Sequence, residues 1–104
     1  MICKYDANVA SVVGVNAATI FDYIMYFVFD SKCRHENFFN GKYWTQETND
    51  GLEKQFFFMS KKEITASIAT LVFAQFLEIT IGNNGSQWFS IGKNGEQFFI
   101  QNFA

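Results

Sequence analysis

The sequence predicts an α+β domain, with helices in its first three quarters and a β-hairpin near its end. Three observations carry this reading. Apolar residues recur at helical spacing over residues 17 to 28, a capping signal at Ser60 announces a later helix, and strict alternation replaces that periodicity after residue 76. The 104 residues are expected to form a single domain, residues 1 to 104, around one core and without room for an active site between lobes. A hydrophobic fraction of 49% with 14 Phe and no Pro excludes a disordered chain. The 17% of charged residues falls short of the roughly one quarter usual in globular domains, so some apolar surface should stay uncovered.

Taken in order, residues 6 to 13 read as a short helix with Asp6 as N-cap, Val9, Val12 and Val13 at helical spacing, and Gly14 ending it. A long helix follows, with Asn16 as the expected cap. Ala17, Ile20, Phe21, Ile24, Phe27 and Val28 make one stripe, and Tyr23, Met25, Tyr26 and Phe29 make the other side apolar, so cover is expected on more than one side. The polar stretch from 30 to 42 breaks the pattern and holds the turn signal Asn40-Gly41, after which "YWT" at 43 to 45 suits a short strand. "QETNDGLEKQ" suits a short helix anchored by Leu52 and weakened by Gly51.

Ser60 and Glu63 form the S-x-x-E capping box, which predicts a helix over about 61 to 76. Ile64, Ile68, Leu71 and Gln75 share its inward face, flanked by Lys61, Ser67 and Val72. "LEITI" and "SQWFSI", joined by "GNNG", read as a β-hairpin over about 77 to 91 with a polar tip. "GKNG" is a further turn, and "EQFFIQNF" a further strand. Helix, helix, strand, helix, helix, hairpin is the order of a winged helix-turn-helix, in which the last helix before the hairpin enters the DNA major groove and the hairpin is the wing.

The segments "YDANVASVVGVNAATIFDYIMYFV", "NGKYWT", "FFFMSKKEITASIATL" and "SQWFSI" resemble, in this order, the N-terminal winged-helix domain of phage and plasmid replication initiators of the replisome-organiser type. The resemblance covers about residues 5 to 91. It implies a mobile-element protein and DNA binding. It departs from the family in two ways. The family's recognition helix is rich in Lys and Arg, and the family continues into a domain that handles helicase or primase, whereas this chain stops near the end of the wing.

Two sets of site residues follow. For double-stranded DNA they are Lys61, Lys62 and Thr65 at the start of the helix with Asn83, Asn84, Ser86 and Gln87 at the wing tip, and Lys42, Lys54 and Lys93 as further phosphate contacts. The net charge of −2 gives no general attraction for phosphates, so such a site would be local and weak. For a protein partner they are Ala66, Ala69, Thr70 and Phe73, a flat apolar face edged by threonine. That alternative describes a winged helix that has given up DNA, such as an anti-CRISPR-like inhibitor of host nucleic-acid machinery, or a homodimer. Whether the C-terminal strand covers Phe73 decides how much of this apolar surface is free.

The residue inventory argues against catalysis. His35 is the sole histidine, and "CRHE" at 33 to 36 lacks a fourth ligand for zinc, so neither a metal nor a cofactor is expected. Glu47, Asp50 and Glu53 read as the exposed side of the short helix, and the two Gly-Asn-rich turns lack the spacing of a phosphate cradle. "NGS" at 84 to 86 is read as a turn rather than a glycosylation site. At least two of Phe56, Phe57 and Phe58 are expected to be buried, and Trp44 and Trp88 to be core. Cys3 and Cys33 are too few for a disulfide framework, and neither a signal peptide nor a membrane span is legible, so a cytoplasmic protein with free thiols is expected.

Overall fold

A computed structural model describes residues 5 to 103, and Cys3 lies outside them. The architecture is mixed α+β, in the order α1 (Ala7–Val13), α2 (Val15–Arg34), β1 (Phe38–Phe39), β2 (Lys42–Tyr43), β3 (Thr45–Glu47), α3 (Asn49–Gln55), α4 (Lys61–Phe73), β4 (Leu77–Ile81), β5 (Gln87–Ile91) and α5 (Glu96–Phe103). Asp6 caps α1 by accepting from the Asn8 and Val9 N–H groups, at 2.7 and 3.3 Å. Gly14 ends α1 and starts α2, so the long helix begins before Asn16 rather than after it. Asn16 caps nothing; its amide donates to Glu63 at 3.3 Å.

Fully buried Ile20, Ile24 and Met25 and nearly buried Phe21 make α2 the centre of the core, against which Val9, Leu52, Phe56, Leu71, Leu77 and Phe89 pack. At about 25 cal/mol per Å² of apolar surface removed from water, each of these larger side chains contributes roughly 1.5–3 kcal/mol. The sheet forms beside this core. β5 lies centrally in a three-stranded antiparallel sheet of order β3-β5-β4, with Thr45 opposite Phe89 and Ile79 opposite Phe89 from the other side. β1 and β2 make a separate small hairpin through Asn40 and Gly41, whose φ values of 52° and 75° are those of a type I′ turn. The expected strand at 43 to 45 is divided, because Trp44 leaves the ladder to donate its indole N–H to the Phe39 carbonyl and stack on the Phe39 ring.

The C-terminal segment is a helix, not the expected strand. Phe99 and Phe103 are one helical turn apart and both reach Phe29 of α2, while Phe98 packs on Phe76. A strand would have pointed Phe98 and Phe99 to opposite faces and lost one of these contacts. Gly92 and Gly95 deliver the chain to that place by backbone contact: a Cβ on either would lie 2.3 or 2.4 Å from the Gln75 or Phe76 carbonyl oxygen. The turn is stapled there by Gly92 N–H to Phe76 O at 2.9 Å and Asn94 N–H to Gln75 O at 2.8 Å.

Candidate functional site

α4 starts as its sequence requires. The Ser60 hydroxyl accepts from the Glu63 N–H at 3.1 Å, and the Glu63 carboxylate accepts from the Ser60 N–H at 2.9 Å. Those hydrogen bonds, the backbone one first, hold the Glu63 carboxyl below its usual range. The helix ends at Phe73, earlier than the expected 76, where Gln75 adopts a left-handed φ of 64° and Phe76 N–H returns to Leu71 O. Gln75 is therefore exposed outside the helix, while Ile64, Ser67 and Leu71 are buried and Ile68 half-buried.

The opposite face is bare. Phe73 is 90% exposed, and Ala66, Ala69, Thr65 and Thr70 are exposed beside it. The threonine hydroxyls are satisfied within the helix, Thr65 donating to Lys61 O at 3.0 Å and Thr70 to Ala66 O at 2.9 Å. Because α5 packs on α2, nothing from the C-terminal segment covers Phe73. A shallow groove lined by Val15, Asn16, Ala66 and Thr70 runs along the same side. Val15, 52% exposed, gives it apolar surface.

Among the DNA-site residues, Lys61, Lys62 and Thr65 are exposed on the first turn of α4, and Asn83 and Asn84 at the hairpin tip. Ser86 and Gln87 are half-buried and engaged: Ser86 bonds Asn84 through its N–H and its hydroxyl, and the Gln87 amide donates to Asn49 at 2.9 Å. Lys42 is also engaged, pairing with Glu78 and donating to the Ile91 carbonyl at 2.7 Å. Lys93 borders a groove with Val72 and Gln75 near the far end of α4 from Lys61 and Lys62. A helix of this length separates its ends by about 20 Å. The local cations therefore make no continuous stripe.

The phenylalanines before α4 correct the expectation of burial. Of the three only Phe56 is buried; Phe57 and Phe58 are 83% and 51% exposed, because the turn into the capped helix sends Phe56 and Met59 to the core and leaves the two residues between them outside. The acidic trio does not form one helix side either. Glu47 lies on β3 and is half-buried, which raises its carboxyl to about 7 by loss of water, and burial followed by the Glu47 charge raises the Tyr23 phenol of α2 to about 12. His35 is the exposed left-handed cap of α2, and Cys33 is free and exposed near the same end. Among the described residues no group of three or more His, Cys, Asp or Glu is placed to hold a metal ion, and no helix is long and apolar enough to cross a membrane.

Comparison with known proteins finds no matching family model, curated protein or solved structure.

Proposed function

We propose that this chain is a small non-catalytic winged-helix protein that works in the cytoplasm by docking another protein on the outward face of α4. The winged-helix reading is supported by β3 preceding α3 and α4 and then joining the hairpin through β5, so that both helices lie between strands of one sheet. The docking reading is carried by one observation: Phe73, 90% exposed, stands in line with Ala66 and Ala69 on a helix whose other side is packed. A desolvated aromatic flanked by small residues is the kind of anchor that dominates protein interfaces. Through the resemblance to replication-initiator domains, the reading extends to a mobile-element protein, of the kind that includes anti-CRISPR-like inhibitors of host nucleic-acid machinery.

A second reading, double-stranded DNA binding, is favoured by exposure of Lys61, Lys62 and Thr65 at the helix start and of Asn83 and Asn84 at the hairpin tip. Two phosphate contacts would give a salt slope of only about −2. Paired substitutions separate the readings. Immobilised protein is compared with its Phe73→Ser and Lys61→Glu/Lys62→Glu variants, all shown folded by circular dichroism, for proteins and nucleic acid retained from nuclease-treated and untreated extracts. Docking expects a protein, from the extract or an added second copy of this chain, retained after nuclease and lost with Phe73→Ser. Nucleic acid retained by the parent and lost only in the double lysine variant would replace docking with the DNA reading.

A further inference from the structure

The outward face of α4 has a register as well as an exposure. Lys62, Ala66, Ala69 and Phe73 are spaced by four, three and four residues, which is the spacing of contact positions along a coiled-coil seam. At about 100° per residue they fall within a strip roughly 60° wide, directly opposite Ile64 and Leu71. Such a strip offers a partner one narrow line of contact. We infer that the strip is occupied by the same strip of a second copy of this chain, α4 against α4 and antiparallel. This rests on the docking reading and names its partner.

Antiparallel pairing centred between Ser67 and Ile68 sets Ala66 against Ala69 of the other copy twice, and Lys62 against Phe73 twice. The alanines form the middle, where their size lets two helix axes approach to about 8 Å. At each end the aliphatic stem of Lys62 covers the exposed ring, with its ammonium over the ring face and beside the C-terminal end of the other helix. That end needs a cation. The last turn of α4 carries no basic residue, and its first turn carries Lys61 and Lys62, so each helix brings the charge that complements the other's dipole. A parallel pair would instead put Lys62 on Lys62 and Phe73 on Phe73, joining like charges at one end and leaving the small residues gapped between two large ones.

The exposed Val15, beside Ala66 and Thr70, widens the contact on one side. A helix of thirteen residues still makes a short seam, below the roughly 1,200 Å² that stable interfaces bury, so the dimer is weak and depends on concentration. Its apolar middle is indifferent to salt, and salt screens only the Lys62 contacts at its two ends.

Sedimentation velocity over micromolar to millimolar protein, at about 50 and 200 mM salt, tests the association. Cysteine pairing tests the register, in a Cys3→Ser/Cys33→Ser background. The expected result is a monomer–dimer equilibrium that changes little with salt and whose dissociation constant rises about 10-fold or more with Phe73→Lys. Under mild oxidation, Ala66→Cys mixed with Ala69→Cys should form a mixed disulfide dimer faster than either variant alone. A protein monomeric throughout overturns the second-copy assignment, and the extract comparison then still decides docking by itself. A dimer unaffected by Phe73→Lys, or one in which Ala66→Cys pairs fastest with itself, overturns the seam.

Discussion

The second apolar side of α2 is covered except at Tyr26, which is 54% exposed, with Met25 fully buried and the Phe29 ring 4.8 Å from that of Phe103, whereas the second apolar side of α4 leaves Phe73 90% exposed. Both helices carry a second apolar face in their sequence, and for α2 that pattern calls for cover from more than one direction. Among the described residues the C-terminal element, α5, turns its phenylalanines to Phe29 of α2 and to Phe76, and its remaining apolar residue, Ile100, is 61% exposed rather than packed on α4. What distinguishes the two helices is thus the allocation of cover, and the uncovered face is the one on which we propose that a partner docks.

The largest effect separates the two sides of α4 itself. Leu71→Ala, at a fully buried position, is expected to cost about 2–5 kcal/mol in urea unfolding. Phe73→Ser, two residues on, should change stability by no more than about 0.5 kcal/mol. A loss at Phe73 comparable to that at Leu71 would mean that its ring is covered in solution, and the contrast with α2 would disappear. Next comes the cover on α2: Phe29→Ala removes the ring that α5 docks on, with an expected cost of about 1–2 kcal/mol for a half-buried aromatic. Hydrogen exchange should quicken over 96 to 103 and stay slow over α4.

The packed side of α2 also has a pH signature. Glu47, near Tyr23, has its folded carboxyl raised to about 7 from an ordinary value near 4.5. The folded state therefore holds the proton more tightly, so this contribution is fully present below about pH 4.5 and is lost as pH rises through about 7. With allowance for partial exposure the amplitude is about 1–2 kcal/mol. Glu47→Gln should flatten that part of a stability–pH curve and raise stability at pH 8. A further, modest loss is expected at the start of α4. Ser60→Ala removes half of the capping box and should cost about 1 kcal/mol in thermal unfolding.

The elements legible in the sequence are those that local chemistry specifies. Asp6, the Ser60–Glu63 box, Asn40-Gly41 and the alternation of "LEITI" and "SQWFSI" each satisfy backbone groups within a few residues, and each forms as read. The misreadings lie where distant contacts decide. "EQFFIQNF" suits strand or helix locally, and only Phe29 and Phe76 favour the helix. Phe56, Phe57 and Phe58 are chemically alike, and which one is buried depends on how α3 turns into α4. Glu47 reads as lying on or near the short helix because its neighbours are polar, while its pairing with Gln87 puts it on β3. The outward residues Ala66, Ala69, Thr70 and Phe73 were legible from helical phase alone, but their exposure was not, since it required knowing where α5 goes.

The most direct measurement is a fluorescence anisotropy titration of the folded protein against AT-rich and mixed DNA duplexes, at about 50 and 200 mM salt. The docking reading expects no saturable binding even at the lower salt. Micromolar binding that weakens with salt and is abolished by Lys61→Glu/Lys62→Glu, but survives Phe73→Ser, would show that the face still serves DNA and contradict the docking reading.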